Sequence, residues 1–132
     1  MLSDKSVNVK LKLASLWASL MFLIIYLDYF HLYMPGKIED ILAGKVFEFE
    51  ISQGFLLIAL VLVSLPALMI FLSISLSAKL NRWLNIIVGA INIPFILFNL
   101  AGEAWIHMVV GAIIQVGLLC LIIHYAWRWP RI

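Results

Sequence analysis

Three asparagines recur at seven-residue intervals through a segment that is otherwise almost wholly apolar: Asn85, Asn92 and Asn99. Seven residues are nearly two helical turns, so the three amides lie on one face of a helix. The segment, from about Leu84 to Ala101, is long enough to cross most of a bilayer. Because an amide that faces lipid tails lacks hydrogen-bond partners, we expect this face to point toward other protein or a polar cavity. The pattern therefore predicts a transmembrane helix bundle with a polar interior.

The composition of the chain also indicates a membrane protein. Of the 132 residues, 65% are hydrophobic and 12% are charged, whereas a soluble domain is about 45–50% apolar and about 25% charged. The net charge of +2 is too small to indicate a nucleic-acid partner. The one cysteine, Cys120, excludes an intrachain disulfide and a cysteine-rich metal site. We therefore expect neither a metal nor another cofactor.

Four long apolar runs predict an all-α fold, an antiparallel four-helix transmembrane bundle that forms a single domain. The predicted spans are about residues 13–34, 51–75, 84–101 and 104–127. Pro66 and Pro94 lie inside the second and third spans, where neighbouring helices must satisfy the freed carbonyls. Between the first and second spans, Lys37 to Ala43 predicts a short amphipathic helix on the outer surface. Lys45 to Glu50 alternates charged and apolar residues and predicts a short extended segment.

Lysine and arginine concentrate on one side of the predicted membrane, which indicates the orientation of the chain. On that side lie Lys5, Lys10, Lys12, Lys79, Arg82, Arg128 and Arg131. On the other side, Lys37 and Lys45 are outnumbered by Glu39, Asp40, Glu48 and Glu50. We therefore expect a multi-pass protein of the cell membrane with both termini in the cytoplasm. An inner aromatic belt would then contain Trp83, Trp127 and Trp129, and an outer belt Tyr33 and Trp105.

Most polar residues of the four spans fall in their outer halves, which predicts an outward-opening polar pocket. Asp28 and His31 are three residues apart on the first helix and share a face. A carboxylate about two turns inside a span is costly unless it is paired, hydrated or protonated. A tight turn at Gly102 would bring the third and fourth spans together. The candidate ligand-binding residues are Asp28, His31, Gln53, Asn92, Asn99, Glu103, His107 and Gln115. The asparagines and glutamines among them also fit simple hydrogen bonds between helices, and no catalytic residue can be assigned.

Three strings of sequence resemble a family of small four-helix prokaryotic membrane proteins that is known as a domain of unknown function. They run from Ile51 to Leu57, from Asn81 to Ile87 and from Tyr125 to Trp127. The resemblance covers most of the chain, and the family is similar to the DoxX-like proteins in size and helix count. It implies a four-helix membrane fold and supplies no catalytic residues.

Three functions remain open at this point. The first is binding of a small amphipathic or lipid-like ligand in the outer pocket, where Asp28 with His31 or His107 could also supply acid–base chemistry. The second is a proton-coupled small-molecule exporter that acts as a homodimer. Small multidrug transporters also have four helices and a carboxylate in the first, although their glycine-rich third-helix pattern is absent from this sequence. The third is an accessory subunit of a larger membrane complex, with lipid and protein as its partners.

Overall fold

The computed structural model describes residues 1–102 and 104–130. The candidate ligand-binding residue Glu103 lies outside the described residues, as does Arg131, one of the cationic residues that indicate the orientation. The elements are α1 (Val9–His31), α2 (Lys37–Leu42), β1 (Lys45–Val46), β2 (Phe49–Glu50), α3 (Gln53–Ser75), α4 (Ala78–Phe98) and α5 (Ile106–Trp127). The helices α1, α3, α4 and α5 have 21 to 23 residues each and are long and apolar enough to cross a membrane. The predicted all-α four-helix fold is confirmed, and it fits a multi-pass membrane protein.

The four long helices form a closed bundle in which α1 packs on α3 and α5, while α4 packs on α5 and more lightly on α3. The beginning of α1 meets the end of α5, because Lys12 Nζ lies 5.2 Å from the centroid of the Tyr125 ring. The start of α1 and the end of α5 therefore lie at one end of the bundle, which we call the terminal end. We call the opposite end, which carries α2 and the β1–β2 hairpin, the loop end.

The core is apolar and includes fully buried side chains from several helices, among them Leu13, Trp17, Leu20, Met69, Leu119 and Ile122. The helices α1 and α5 approach each other closely at Gly111, where an added Cβ would lie 2.6 Å from Leu27 Cδ1. Much of the outer surface is also apolar, as shown by Phe22, Leu57 and Ile113, which are 64%, 61% and 67% exposed. A surface of this kind suits lipid rather than water.

The helix α4 begins at Ala78, well before the predicted start at about Leu84. Asn81, which is fully buried, stabilises these additional turns. Its Nδ2 donates hydrogen bonds to the carbonyl oxygens of Ser73 at 2.6 Å and Leu76 at 3.4 Å. Because these carbonyls belong to the last turn of α3 and the residue after it, they have no helical N–H partner further along the chain. Asn81 thus joins the end of α3 to the start of α4.

At the loop end, the predicted short helix is present as α2, and Gly44 at φ +82° follows it. The predicted extended segment is a hairpin, because Phe47 adopts φ +56° and reverses the chain between β1 and β2. The Phe47 ring packs edge-on against Phe98 with centroids 6.3 Å apart. It also lies against Gly102, where an added Cβ would be 3.0 Å from Phe47 Cε2. The hairpin therefore covers the chain that follows α4.

Candidate functional site

Four buried polar side chains form a hydrogen-bonded group that we call the asparagine cluster: Trp17, Ser73, Asn81 and Asn85. Asn85 Oδ1 accepts hydrogen bonds from Trp17 Nε1 at 2.7 Å and Ser73 Oγ at 3.3 Å. Asn85 Nδ2 donates to the carbonyl oxygen of Asn81 at 2.9 Å and to its Oδ1 at 2.6 Å. All four residues are 0% exposed. Because these side chains satisfy one another, the cluster ties α1, α3 and α4 together and offers no free polar atom to a ligand.

Of the three asparagines that recur at seven-residue intervals, two lie inside the bundle. Asn85 and Asn92 are buried as predicted, whereas Asn99 is exposed, so the prediction is wrong for Asn99. It follows Phe98, the last residue of α4, and caps the helix where the chain turns away. Asn85 faces α1 and α3 rather than the fourth long helix, α5. Asn92 Nδ2 donates to the carbonyl oxygen of Val88 in its own helix, at 2.8 Å.

The other predicted site residues are spread over different surfaces of the bundle. Asp28 and Gln53 are exposed, and His31 is half-buried. Asp28 and His31 lie three residues apart on α1 and share a face, as predicted. Gln115 is 6% exposed on α5, and Glu103 lies outside the described residues. Similar depth in the bundle therefore does not by itself bring these side chains together.

One predicted residue, His107, lines a cleft at the loop end. This loop-end cleft has a volume of about 480 Å³ and is lined by Phe30, Tyr33, Met34, Trp105 and His107. Met34 is 3% exposed and lies deep, whereas Tyr33 is 68% exposed and lies at the mouth. The cleft is formed where the end of α1 meets the start of α5.

The Nε2 atom of His107 is buried and has no hydrogen-bond partner within the described part of the chain. The Trp105 ring stands edge-on to the imidazole with centroids 6.2 Å apart. A neutral imidazole has one donor and one acceptor nitrogen, so Nε2 can pair with a polar group of either kind. His107 thus lines the cleft and has a buried nitrogen without a partner in the described part of the chain.

Beside the cleft, aromatic residues continue along the last turns of α1. The hydroxyl oxygens of Tyr29 and Tyr33 are 2.6 Å apart, and the Phe30 ring packs against both. Among the described residues, no three histidine, cysteine, aspartate or glutamate side chains lie together as metal ligands.

Sequence reasoning missed several residues that the structure brings into these two sites. The four-residue spacing of Asn81 and Asn85 places both on one helix face, a signal that was hidden because the span was predicted to begin at Leu84. Trp105 was assigned to an aromatic belt, which its position at a helix end also fits. No sequence pattern indicates that Phe30 and Met34 lie beside His107, because that contact depends on how α1 and α5 are rotated.

Comparison with known proteins places the chain in a family. A family model described as "Family of unknown function (DUF6326)" matches residues 3–131. Since the match spans nearly the whole chain, the chain belongs to that family, and the resemblance to a family of unknown function is confirmed. No curated protein and no solved structure matches the chain.

Proposed function

We propose that this member of a family of unknown function is a multi-pass membrane protein that binds a small amphipathic or lipid-like ligand in the loop-end cleft. The buried Nε2 of His107, which has no hydrogen-bond partner among the described residues, is the observation that carries the proposal. A buried polar atom without a partner costs about 1–3 kcal/mol, so a ligand group that pairs with it removes this cost. The volume of about 480 Å³ is typical of small-molecule sites, which have roughly 300–1,000 Å³.

The lining of the cleft indicates which kind of ligand fits. The side chains of Phe30, Met34 and Trp105 offer apolar contact area, and aromatic rings contribute much of it. His107 offers one hydrogen bond, and Tyr33 at the mouth carries a hydroxyl. A molecule with a hydrocarbon body and a small head group that contains oxygen fits this combination. We propose binding alone and assign no reaction to the cleft.

The location and orientation belong to the same proposal. We assign the protein to the cell membrane with both termini in the cytoplasm, which opens the loop-end cleft to the opposite side. Support comes from the four apolar helices and from the lysine and arginine residues at the terminal end. Reporter fusions after Ile132 and within the loop of residues 36–49 should give opposite compartment signals. The same signal from both fusions would contradict the orientation.

The ligand proposal is tested by substitution of His107 in the full chain. The protein, purified in mild detergent, is analysed by native mass spectrometry and lipid extraction for a retained molecule. His107→Phe preserves a ring but removes the hydrogen-bonding nitrogens, and should reduce retention about tenfold, the equivalent of one hydrogen bond of roughly 1.4 kcal/mol. The matched control is His124→Phe, which changes an exposed histidine of the same helix at the terminal end.

The outcomes separate ligand binding from the accessory-subunit alternative. A molecule retained by the wild type and by His124→Phe, but lost from His107→Phe, supports the proposal. A molecule retained equally by all three proteins contradicts it. If the wild type binds no small molecule and is recovered only with other subunits, the accessory-subunit alternative is favoured instead.

A further inference from the structure

A second cleft lies at the terminal end, between the start of α4 and the chain that follows α5. Its volume is about 290 Å³, and it is lined by Ala78, Lys79, Arg82, Trp83, Trp129 and Pro130. We call it the terminal-end cleft. It lies at the opposite end of the bundle from His107, and its chemistry differs, because two of its six lining residues are cationic and none is acidic.

Arg82 is held in a fixed position in this cleft. Its Nε donates to the carbonyl oxygen of Ala126 at 3.1 Å, and its Nη2 donates to that of Trp127 at 3.2 Å. The guanidinium carbon also lies 5.0 Å from the ring centroid of Trp83 and 5.2 Å from that of Trp127. A guanidinium has five N–H donors, and the other three make no hydrogen bond within the described residues. These contacts therefore fix the orientation of the Arg82 guanidinium, and its other N–H groups are left to bind a ligand.

Lys79 adds a second positive charge on the same side of α4. It lies three residues before Arg82, close to one helical turn, and its side chain is exposed. The helix begins at Ala78, so the positive end of its dipole lies at the same place. The indole of Trp83 is 44% exposed, and Trp129 is half-buried beside it. Tryptophan in such a position is typical of the boundary between head groups and acyl chains.

We propose that the terminal-end cleft binds a phosphate group, and that this phosphate is the head group of an anionic phospholipid. The guanidinium of Arg82 and the ammonium of Lys79 bind the phosphate oxygens, and both groups form short, charge-assisted hydrogen bonds with such oxygens. The indoles of Trp83 and Trp129 contact the upper part of the acyl chains. This proposal depends on the membrane location proposed above but not on a ligand near His107.

The test measures lipid binding to the full chain by native mass spectrometry in detergent. Phosphatidylglycerol, phosphatidylcholine and inorganic phosphate are titrated separately. Lys79→Gln should weaken binding of phosphatidylglycerol about fivefold, the equivalent of about 1 kcal/mol for one basic residue near a lipid surface. The matched control, Lys10→Gln, removes the same charge from the terminal end at a residue that does not line the cleft. Arg82 is left intact because it also joins α4 to α5.

A preference for phosphatidylglycerol that is weakened in Lys79→Gln and kept in Lys10→Gln supports the proposal. Equal weakening in both variants would overturn it, because that result indicates diffuse surface charge. Equal binding of phosphatidylglycerol and phosphatidylcholine would also overturn it. Displacement of the lipid by low millimolar inorganic phosphate would assign the cleft to a free anion and overturn the lipid assignment. None of these results changes the expected behaviour of His107→Phe.

Discussion

Replacement of Asn85 by leucine should destabilise the bundle more than the same replacement of Asn92. The leucine side chain is similar in size but can accept no hydrogen bond from Trp17 Nε1, which is fully buried. Asn81 Oδ1 loses its donor at 2.6 Å as well. The Ser73 hydroxyl can instead turn to a carbonyl of its own helix, so its loss is small.

The expected loss of stability comes from the two groups that lose a hydrogen-bond partner, Trp17 Nε1 and Asn81 Oδ1. A buried donor or acceptor without a partner costs about 1–3 kcal/mol in water-soluble proteins. Within membranes the measured average for a polar contact between helices is about 0.6 kcal/mol, because the separated helices find other partners. For Asn85→Leu we therefore expect a loss of about 2 kcal/mol in the free energy of unfolding. Asn92→Leu is the control, because the hydrogen bond of the Asn92 side chain among the described residues lies within its own helix. It should cost less than about 0.5 kcal/mol.

The measurement is unfolding of the purified protein in mixed micelles of a mild detergent and dodecyl sulfate, followed by far-ultraviolet circular dichroism. A double-mutant cycle with Trp17→Phe isolates the bond between Trp17 and Asn85, and a coupling energy of about 1 kcal/mol is expected. If Asn85→Leu and Asn92→Leu unfold at the same dodecyl sulfate fraction, or if the coupling is zero, the cluster does not stabilise the bundle and the reasoning is refuted.

Two further predictions concern helix contacts, and the same unfolding measurement checks both. Gly111→Ala forces Leu27 to move, since the added Cβ would lie 2.6 Å from its Cδ1, and should be less stable than Gly117→Ala by about 1–3 kcal/mol; Gly117 has open space around its Cβ position. Equal stability of the two variants would contradict the prediction, because it would show that Leu27 moves aside without cost. Arg82→Lys loses the fork that donates to two carbonyls at the end of α5 and should cost about 1–2 kcal/mol. Arg128→Lys, at an exposed position, should have no effect, and an equal loss in both would contradict a specific role for Arg82.

The fold could be predicted from the sequence because most of each long helix corresponds to a long apolar run. The start of α4 could not, because Lys79 and Arg82 resemble residues of a connecting loop. In the structure the guanidinium of Arg82 is bonded to the end of α5, so the charge can lie within a helix that begins earlier. Contacts of this kind involve residues far apart in the chain and leave no local pattern.

The candidate site could be predicted only in part, because sequence fixes the depth of a residue in a helix better than the direction of its side chain. Asp28, Gln53 and His107 were placed at similar depths, and the structure has them near the loop end. Rotation of each helix about its axis decides which side chains meet, and packing across the bundle sets that rotation. Of these three, His107 alone lines the loop-end cleft, while Asp28 and Gln53 are exposed.

The asparagine cluster has a consequence for how the chain is made. The helix α4 has the lowest mean hydropathy of the four long helices, 1.4 against 2.9 for α3, and its buried amides make it the one least able to remain alone in lipid. The partners of Asn85 on other helices are Trp17 and Ser73, in α1 and α3, which leave the ribosome before α4. In the proposed membrane location, Asn85 therefore enters the bilayer when both of these partners are already present. A circularly permuted chain that begins with α4 would reverse this order and should insert poorly, even though its finished bundle would contain the same contacts.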